Sequence, residues 1–190
     1  MAVICLTLNP LSTNVFPAHL NNWCEQDGKT WIPVKYSYLT VDSSEGSSPT
    51  GSIQLGADLL DTMITDNITG NTVYVMAHSK GCQVIARWMI KYGAASGHST
   101  NDLKFICSGN LVNSLTPDGA QPSQKYKMLA TSQGGFQVID IGRENDGWAR
   151  WKDTGGNLFI LFSNITGMCN SHKSETYSGT SLNSVGVPTA

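Results

Sequence analysis

The stretch Thr72–Ala86, TVYVMAHSKGCQVIA, carries the signals of a strand, a tight turn and a helix in succession. Thr72–Ala77 is a short apolar run, which is typical of a buried strand. Cys82–Tyr92 has apolar residues along one side, which predicts an amphipathic helix. Ser79 and Gly81 form an S-x-G turn between the two elements. The order predicts a strand-turn-helix unit with Ser79 at its tip.

Further apolar runs repeat this alternation on either side of the turn. Ile53–Thr65 has apolar residues at helical spacing. Additional strands are predicted at Val3–Leu8, Trp31–Val41, Leu103–Cys107 and Phe136–Ile141. Continuous apolar strands alternating with helices predict an α/β three-layer sandwich, with a mostly parallel central sheet of about five strands. We expect one domain over residues 1–177 and a Ser/Thr/Gly-rich tail over 178–190.

The composition restricts the class of protein. The 190 residues include 12 Lys+Arg and 14 Asp+Glu, so only 14% of the residues are charged. A nucleic-acid partner needs a surplus of basic residues, so none is expected. A hydrophobic share of 40% argues against disorder. No apolar run approaches a membrane span, and Met1–Leu8 lacks the basic leader of a signal peptide, so we expect synthesis in the cytoplasm.

The cysteine pattern predicts neither a metal site nor a cofactor. No C-x-x-C pair occurs, and an odd count leaves at least one thiol free or intermolecular. Mostly buried free thiols are favoured, and one disulfide involving Cys24 or Cys169 is the alternative. The five are Cys5, Cys24, Cys82, Cys107 and Cys169.

The turn at Ser79 indicates a nucleophile. G-x-S-x-G places a serine on a strained strand-to-helix turn, and here Ala77 stands for the first glycine. The N–H of Lys80, at the start of the helix, is the expected oxyanion donor. An ordinary βα turn with a capping serine is the alternative.

The general base should follow the nucleophile in the chain. His98 lies before a strand, at the wrong edge of the sheet, and His78 points away across the turn. His172, after the last strand signal, is therefore the predicted base, with a solvated loop histidine as the alternative.

The acid should lie in the loop after Phe136–Ile141. Asp146 is our prediction because Gly147 allows the turn, although Asp146 could be only a turn residue. Asp140 falls inside the strand, and Glu144 and Asp153 are the competitors.

The loop after the first strand normally supplies the second oxyanion donor. Pro10 has no N–H to donate, and side-chain help from Asn9 is a further option. The candidate N–H groups are those of Leu11, Ser12 and Thr13.

Several segments together resemble the cutinase-like serine hydrolases, including the mycobacteriophage lysin B esterases and mycobacterial PE-PPE-domain hydrolases. Three departures occur: Ala77 replaces Gly, Lys80 replaces a Gln-like residue, and Asn9-Pro10 replaces a Gly-Thr. The matching segments are Trp31–Tyr36, Gly51–Leu60, Ala77–Gly81, Phe105–Asn110, Asn145–Ala149 and His172 with Tyr177.

The resemblance implies a serine esterase with a Ser79-His172-Asp146 triad. Its substrates would be lipid or acyl esters: mycolate esters of the cell envelope if the chain is phage-encoded, or shorter acyl esters if it is cellular. Trp148, Trp151 and Met168 would line an acyl groove, with core packing as the alternative. The protein would act at the envelope or in the virion. A catalytically silent fold serving as a phage structural or carbohydrate-binding module is the rival, and an amidase or thioesterase is a second.

Overall fold

The computed structural model describes residues 1–10, 14–37, 51–110 and 135–141. The strands are β1 (Ala2–Leu8), β2 (Thr30–Pro33), β3 (Asn71–His78), β4 (Leu103–Ser108) and β5 (Gln137–Ile141). The helices are α1 (His19–Asn22), α2 (Ser52–Ile68) and α3 (Lys80–Trp88), with a 3-10 turn at Trp23–Glu25 and a π-helical turn at Met89–Gly93. In the described part of the chain, no helix has the length and apolarity needed to cross a membrane.

The strands form one parallel sheet in the order β2-β1-β3-β4-β5. β3 lies at its centre, where it pairs with β1 from Ala2 to Leu8 and with β4 from Leu103 to Ser108. Each neighbouring pair is parallel, so all five carboxyl ends meet at one edge of the sheet. The predicted α/β architecture is confirmed, with five strands in the described residues.

The sheet is buried on both faces, which explains its continuous apolar strands. Along β3, Val73, Val75 and Ala77 belong to the cluster covered by α2 and α3. Tyr74 and Met76 alternate with them and belong to the opposite cluster, beneath α1 and the 3-10 turn. Side chains alternate along a strand, so one run of sequence supplies both cores.

The second strand is shorter than its sequence predicts. We expected a strand from Trp31 to Val41, but β2 ends at Pro33, and residues 38–41 lie outside the described residues. Val34 N–H donates to Thr7 O at 2.9 Å, and Tyr36 N–H then donates back to Val34 O at 3.0 Å, which turns the chain out of the sheet. The apolar run continues because Val34 and Tyr36 pack into the core beside α2, outside any strand.

The described cysteines are free, buried thiols: Cys5, Cys24, Cys82 and Cys107. Burial raises the pKa of Cys5 and of Cys24 to about 12. Mostly free thiols are therefore what the described residues contain, and the alternative that places Cys24 in a disulfide is wrong. Cys169 lies outside the described residues.

Candidate active site

Ser79 connects the central strand to α3 through a strained backbone. Its φ is 52° and its ψ is −116°, a region that residues with a side chain rarely occupy. Hydrogen bonds from the backbone N–H and to the backbone O of Ser79 hold this conformation. Ser79 N–H donates to Ser108 O at 3.0 Å, and Ser79 O accepts from Cys82 N–H at 2.9 Å. The sharp strand-to-helix turn predicted at Ser79 is therefore present.

Gly81 allows α3 to begin directly against β1. A Cβ atom at this position would lie 2.5 Å from Leu8 O, which is closer than van der Waals contact permits. The second small residue of the motif is thus required by the neighbouring backbone. Leu8 is the last residue of β1, so the loop expected to carry the second oxyanion donor begins beside the turn at Ser79.

Lys80 is the first residue of α3, and its N–H lies at the positive end of the helix dipole. The Lys80 side chain is buried, and its Nζ donates to Ser37 O at 3.5 Å. This contact joins the turn to the segment that follows β2. Lys80 therefore lies directly after Ser79 at the start of α3, and its role as oxyanion donor stays a prediction.

Asn9 has a structural part in the loop after β1. Its Oδ1 accepts N–H bonds from Val15 at 3.0 Å and from Phe16 at 3.3 Å. Its backbone oxygen accepts the hydroxyl of Tyr36. The Asn9 carboxamide therefore closes the loop, while Leu11, Ser12 and Thr13 lie outside the described residues.

A cavity of about 370 Å³ lies beside this loop, at the carboxyl ends of β1 and β2. Its walls come from the segment around β2 and from the loop after β1. It is lined by Asn9, Asn14, Trp31, Pro33, Val34, Lys35 and Tyr36. The predicted groove residues Trp148, Trp151 and Met168 lie outside the described residues. Their role in an acyl groove therefore stays a prediction.

The positions of the rejected histidines agree with the sequence reasoning. His98 lies in the loop before β4, at the amino edge of the sheet and opposite to Ser79. His78 ends β3 and is buried, and its ring contacts Ser108 and His19 on the sheet face away from α3. His172 lies outside the described residues, so its predicted role as base stays a prediction.

The acid loop begins at the expected edge. Asp140 lies within β5, as predicted, and its Oδ2 accepts Asn110 Nδ2–H at 3.0 Å. β5 is parallel to β3, so the chain after Ile141 starts at the same sheet edge as Ser79. Asp146, Glu144 and Asp153 are outside the described residues, and the choice among them stays open.

Sequence reasoning did not find two polar side chains beneath the turn. His19 Nε2 lies 2.8 Å from Ser108 Oγ, although 89 positions separate them in the chain. Burial lowers the pKa of His19 to about 4. No local pattern indicates that these two residues meet, because only the folded sheet brings α1 and the end of β4 together. In the part of the chain that the structure describes, no cluster of three or more His, Cys, Asp or Glu side chains could hold a metal ion.

Comparisons with known proteins bear on the family and the fold of the chain. The model of the PE-PPE domain matches residues 29–188. No curated protein matches the chain.

Among solved structures, lysin B from Mycobacteriophage D29 is 14% identical with a TM-score of 0.55, over 99% of this chain and 82% of that one. A cutinase-like protein from Cryptococcus sp. is 14% identical with a TM-score of 0.52, over 99% and 97%. The catalytic core of acetyl xylan esterase from Trichoderma reesei is 12% identical with a TM-score of 0.54, over 93% and 98%. At these identities the structures share the fold. The chain therefore belongs to the PE-PPE domain family and has a cutinase-like α/β-hydrolase fold.

Proposed function

We propose that this protein is a serine carboxylic-ester hydrolase in which Ser79 is the nucleophile. The strained backbone of Ser79, between the central strand β3 and the positive end of α3, carries this proposal. Strain of this kind persists only where the surrounding structure imposes it, and it is concentrated at functional sites. Family membership and the fold support the same conclusion, since the structural relatives include proteins named as a cutinase and as acetyl xylan esterases.

The proposed reaction follows the order of a serine hydrolase. Ser79 Oγ attacks the ester carbonyl while His172 accepts the proton of the Ser79 hydroxyl. His172 then gives this proton to the leaving alcohol. Water hydrolyses the acyl-enzyme by the same route. Asp146 orients His172, and the oxyanion lies against the Lys80 N–H. The second donor is an N–H of the loop after β1, from Leu11 or Ser12, and the close contact between Gly81 and Leu8 supports its nearness to Ser79.

The proposed substrates are lipid or acyl esters. A phage-encoded enzyme would act on mycolate esters at the cell envelope or from the virion, and similarity to a mycobacteriophage lysin B supports this choice. In this proposal Trp148, Trp151 and Met168 line the acyl groove. Release of long-chain acid from isolated mycobacterial cell walls, compared with hydrolysis of acetyl and butyryl esters, separates the two substrate classes.

Fluorophosphonate labelling and p-nitrophenyl ester hydrolysis test the nucleophile. We expect labelling of wild-type protein at Ser79 and a loss of kcat of about 10⁴-fold or more in Ser79→Ala. Ser99→Ala, in the loop at the opposite edge of the sheet, is the matched control and should keep wild-type activity. Equal hydrolysis by wild type and Ser79→Ala, or no hydrolysis at any acyl chain length, would contradict the proposal. Thioester and amide substrates in the same assay separate an esterase from a thioesterase or amidase.

A parallel series of variants tests the other two members of the triad. His172→Ala and Asp146→Asn should lower kcat by about 10²–10⁴-fold. His98→Ala is the control for the base, and Glu144→Gln, Asp153→Asn and Asp140→Asn are the controls for the acid. If a control variant loses more kcat than His172→Ala or Asp146→Asn, the role of base or acid would pass to the residue changed in that control.

One observation favours a second candidate, a catalytically silent hydrolase fold with a phage structural or carbohydrate-binding role. Pro10 has no N–H, although it lies in the loop that supplies an oxyanion donor in the cutinase-like hydrolases. The Asn9 Oδ1 is an acceptor that already binds the N–H groups of Val15 and Phe16. Under this alternative, wild-type protein would be folded but would neither react with the fluorophosphonate nor hydrolyse any ester.

A further inference from the structure

Ser108 is the centre of a buried polar cluster on the sheet face away from α3. Its hydroxyl lies 2.8 Å from His19 Nε2 and 3.1 Å from His78 Nδ1, and it donates to Ala77 O at 3.1 Å. The two imidazole rings are tilted against each other with centroids 4.7 Å apart. Ser108 has no exposed surface, and each histidine is only 1% exposed. Three elements thus place their polar groups in one site from which water is excluded.

The same residue holds the backbone of the turn at Ser79. Ser108 O accepts Ser79 N–H at 3.0 Å, His78 Nδ1–H at 3.0 Å and the Cys82 thiol at 3.5 Å. His78 directly precedes Ser79, and Cys82 lies in the first turn of α3. The carbonyl of one residue therefore binds the strand, the turn and the helix of the nucleophile unit.

The contacts of the cluster define its protons. A carbonyl oxygen only accepts, so the contact between His78 and Ser108 O requires a proton on His78 Nδ1. The Ser108 hydroxyl has a single proton, which its bond to Ala77 O uses. The contacts of the Ser108 hydroxyl are satisfied together only when His19 Nε2 also carries a proton. Both rings then donate to Ser108, His19 through Nε2 and His78 through Nδ1.

A buried hydrogen-bond network resists distortion, because breaking one of its bonds leaves a polar group without water. This property suits the position beneath Ser79, whose backbone needs support to keep its strained conformation. A displacement of about 1 Å at a reacting atom lowers a rate by about 10²-fold. Small movements at Ser108 would therefore appear as changes in rate.

We propose that Ser108 is a positioning residue for the nucleophile, and that His19 and His78 fix its orientation through Nε2 and Nδ1 respectively. This inference rests on the proposed esterase function. Ser108, His19 and His78 do not contact the ester in this proposal. They act through the backbone of Ser79, so substrate binding should be affected less than the chemical step.

Crossed amide substitutions test the geometry. The amide nitrogen of Asn reaches the place of a histidine Nδ1, and that of Gln reaches the place of Nε2. His78→Asn and His19→Gln should therefore keep the rate of fluorophosphonate labelling within about threefold of wild type. His78→Gln, His19→Asn and Ser108→Ala should lower kcat by about tenfold or more, with KM changed by less than about twofold. His98→Asn and His98→Gln control for the substitutions themselves.

Folding is checked by circular dichroism and thermal melting before rates are compared. Equal rates for Asn and Gln at both positions, in folded variants of an active wild type, would overturn this inference and leave the esterase intact. A wild type that neither reacts with the probe nor hydrolyses esters would overturn the proposed function and this inference together.

Nitrogen-15 NMR of the wild-type histidines gives a test that needs no variant. We expect a proton on Nε2 of His19 and on Nδ1 of His78 at pH 7. The absence of a proton from either of these two nitrogens would overturn the inference.

Discussion

Gly81 shows how a single residue connects the local motif to the whole sheet. Along the chain it is the second residue after Ser79, but its closest neighbour in space is the end of β1. The absence of a side chain lets Leu8 O approach to 2.5 Å from the position that a Cβ would occupy. The small residue is needed because the helix must start where the first strand ends.

Gly81→Ala should disturb the protein more than Gly56→Ala. At Gly81 the added methyl meets backbone, which can give only by moving α3 away from β1, whereas at Gly56 it meets the side chains of Tyr36 and Val84 at 3.0 and 3.1 Å. We expect a loss of about 1–3 kcal/mol in the free energy of unfolding for Gly81→Ala, partly offset by the helix propensity of Ala. Urea unfolding measures both variants.

The kinetic result distinguishes packing from site geometry. Gly81→Ala should also slow fluorophosphonate labelling of Ser79, while Gly56→Ala should not. A Gly81→Ala variant as stable and as reactive as wild type would show that the approach of α3 to Leu8 is not required.

At this scale the sequence predicts what is local. Consecutive residues around Ser79 predict a strand, a turn and a helix, and the structure contains these elements at that place. The contact between Ser108 and His19 could not be predicted, since the segment Phe105–Asn110 does not indicate what Ser108 touches and the two residues meet only when β4 enters the sheet. Asp140 was placed correctly within its strand because the apolar run Phe136–Ile141 contains it.

Among the elements, α2 and α3 are joined by polar groups as well as by their apolar faces. Asp58 on α2 accepts hydrogen bonds from Gln54 on the same helix, and from Lys91 and Tyr92 in the π-helical turn that follows α3. Burial favours a higher pKa for Asp58, but the hydrogen bonds from Lys91, Tyr92 and Gln54 outweigh it and hold the pKa below its usual value. Trp88 Nε1–H adds a bond to Asp61 at 2.9 Å.

Asp58→Asn should lower the free energy of unfolding by about 1 kcal/mol or less, because the Asp58 and Lys91 side chains are each 39% exposed and solvent screens their attraction. The loss should be smaller at 1 M salt than at 50 mM salt. Asp66→Asn, on the exposed side of the same helix, is the matched control. A loss that is unchanged by salt would indicate that the hydrogen-bond geometry matters more than the charge.

The element boundaries reveal the limit of pattern reasoning. Four predicted strands lie within one or two residues of the observed ones, because a buried parallel strand is a continuous apolar run. The segment after Pro33 has the same composition but leaves the sheet, since Val34 and Tyr36 fill space beside α2. Composition predicts burial in both cases, and only the hydrogen bonds decide which buried segment is a strand.

For the molecule as a whole, the buried imidazole of His19 couples folding to pH. Burial lowers its pKa from the ordinary 6.5 to about 4 in the folded state. The unfolded chain therefore binds more protons at His19 between these two values. The stability that comes from neutral His19 is fully present above pH 6.5 and is lost as the pH falls toward 4.

His19→Gln should make the unfolding free energy less dependent on pH. The glutamine keeps a donor near the place of Nε2 but does not titrate, so the contribution of His19 disappears from the difference between pH 7 and pH 5. From the two pKa values, wild type should lose about 2 kcal/mol more than His19→Gln over this interval. Urea unfolding at pH 7 and pH 5 measures the loss of unfolding free energy in each protein. Subtracting one loss from the other removes the contribution of the carboxylates, which both proteins share. An equal loss in the two proteins would contradict the lowered pKa of His19 in the folded state.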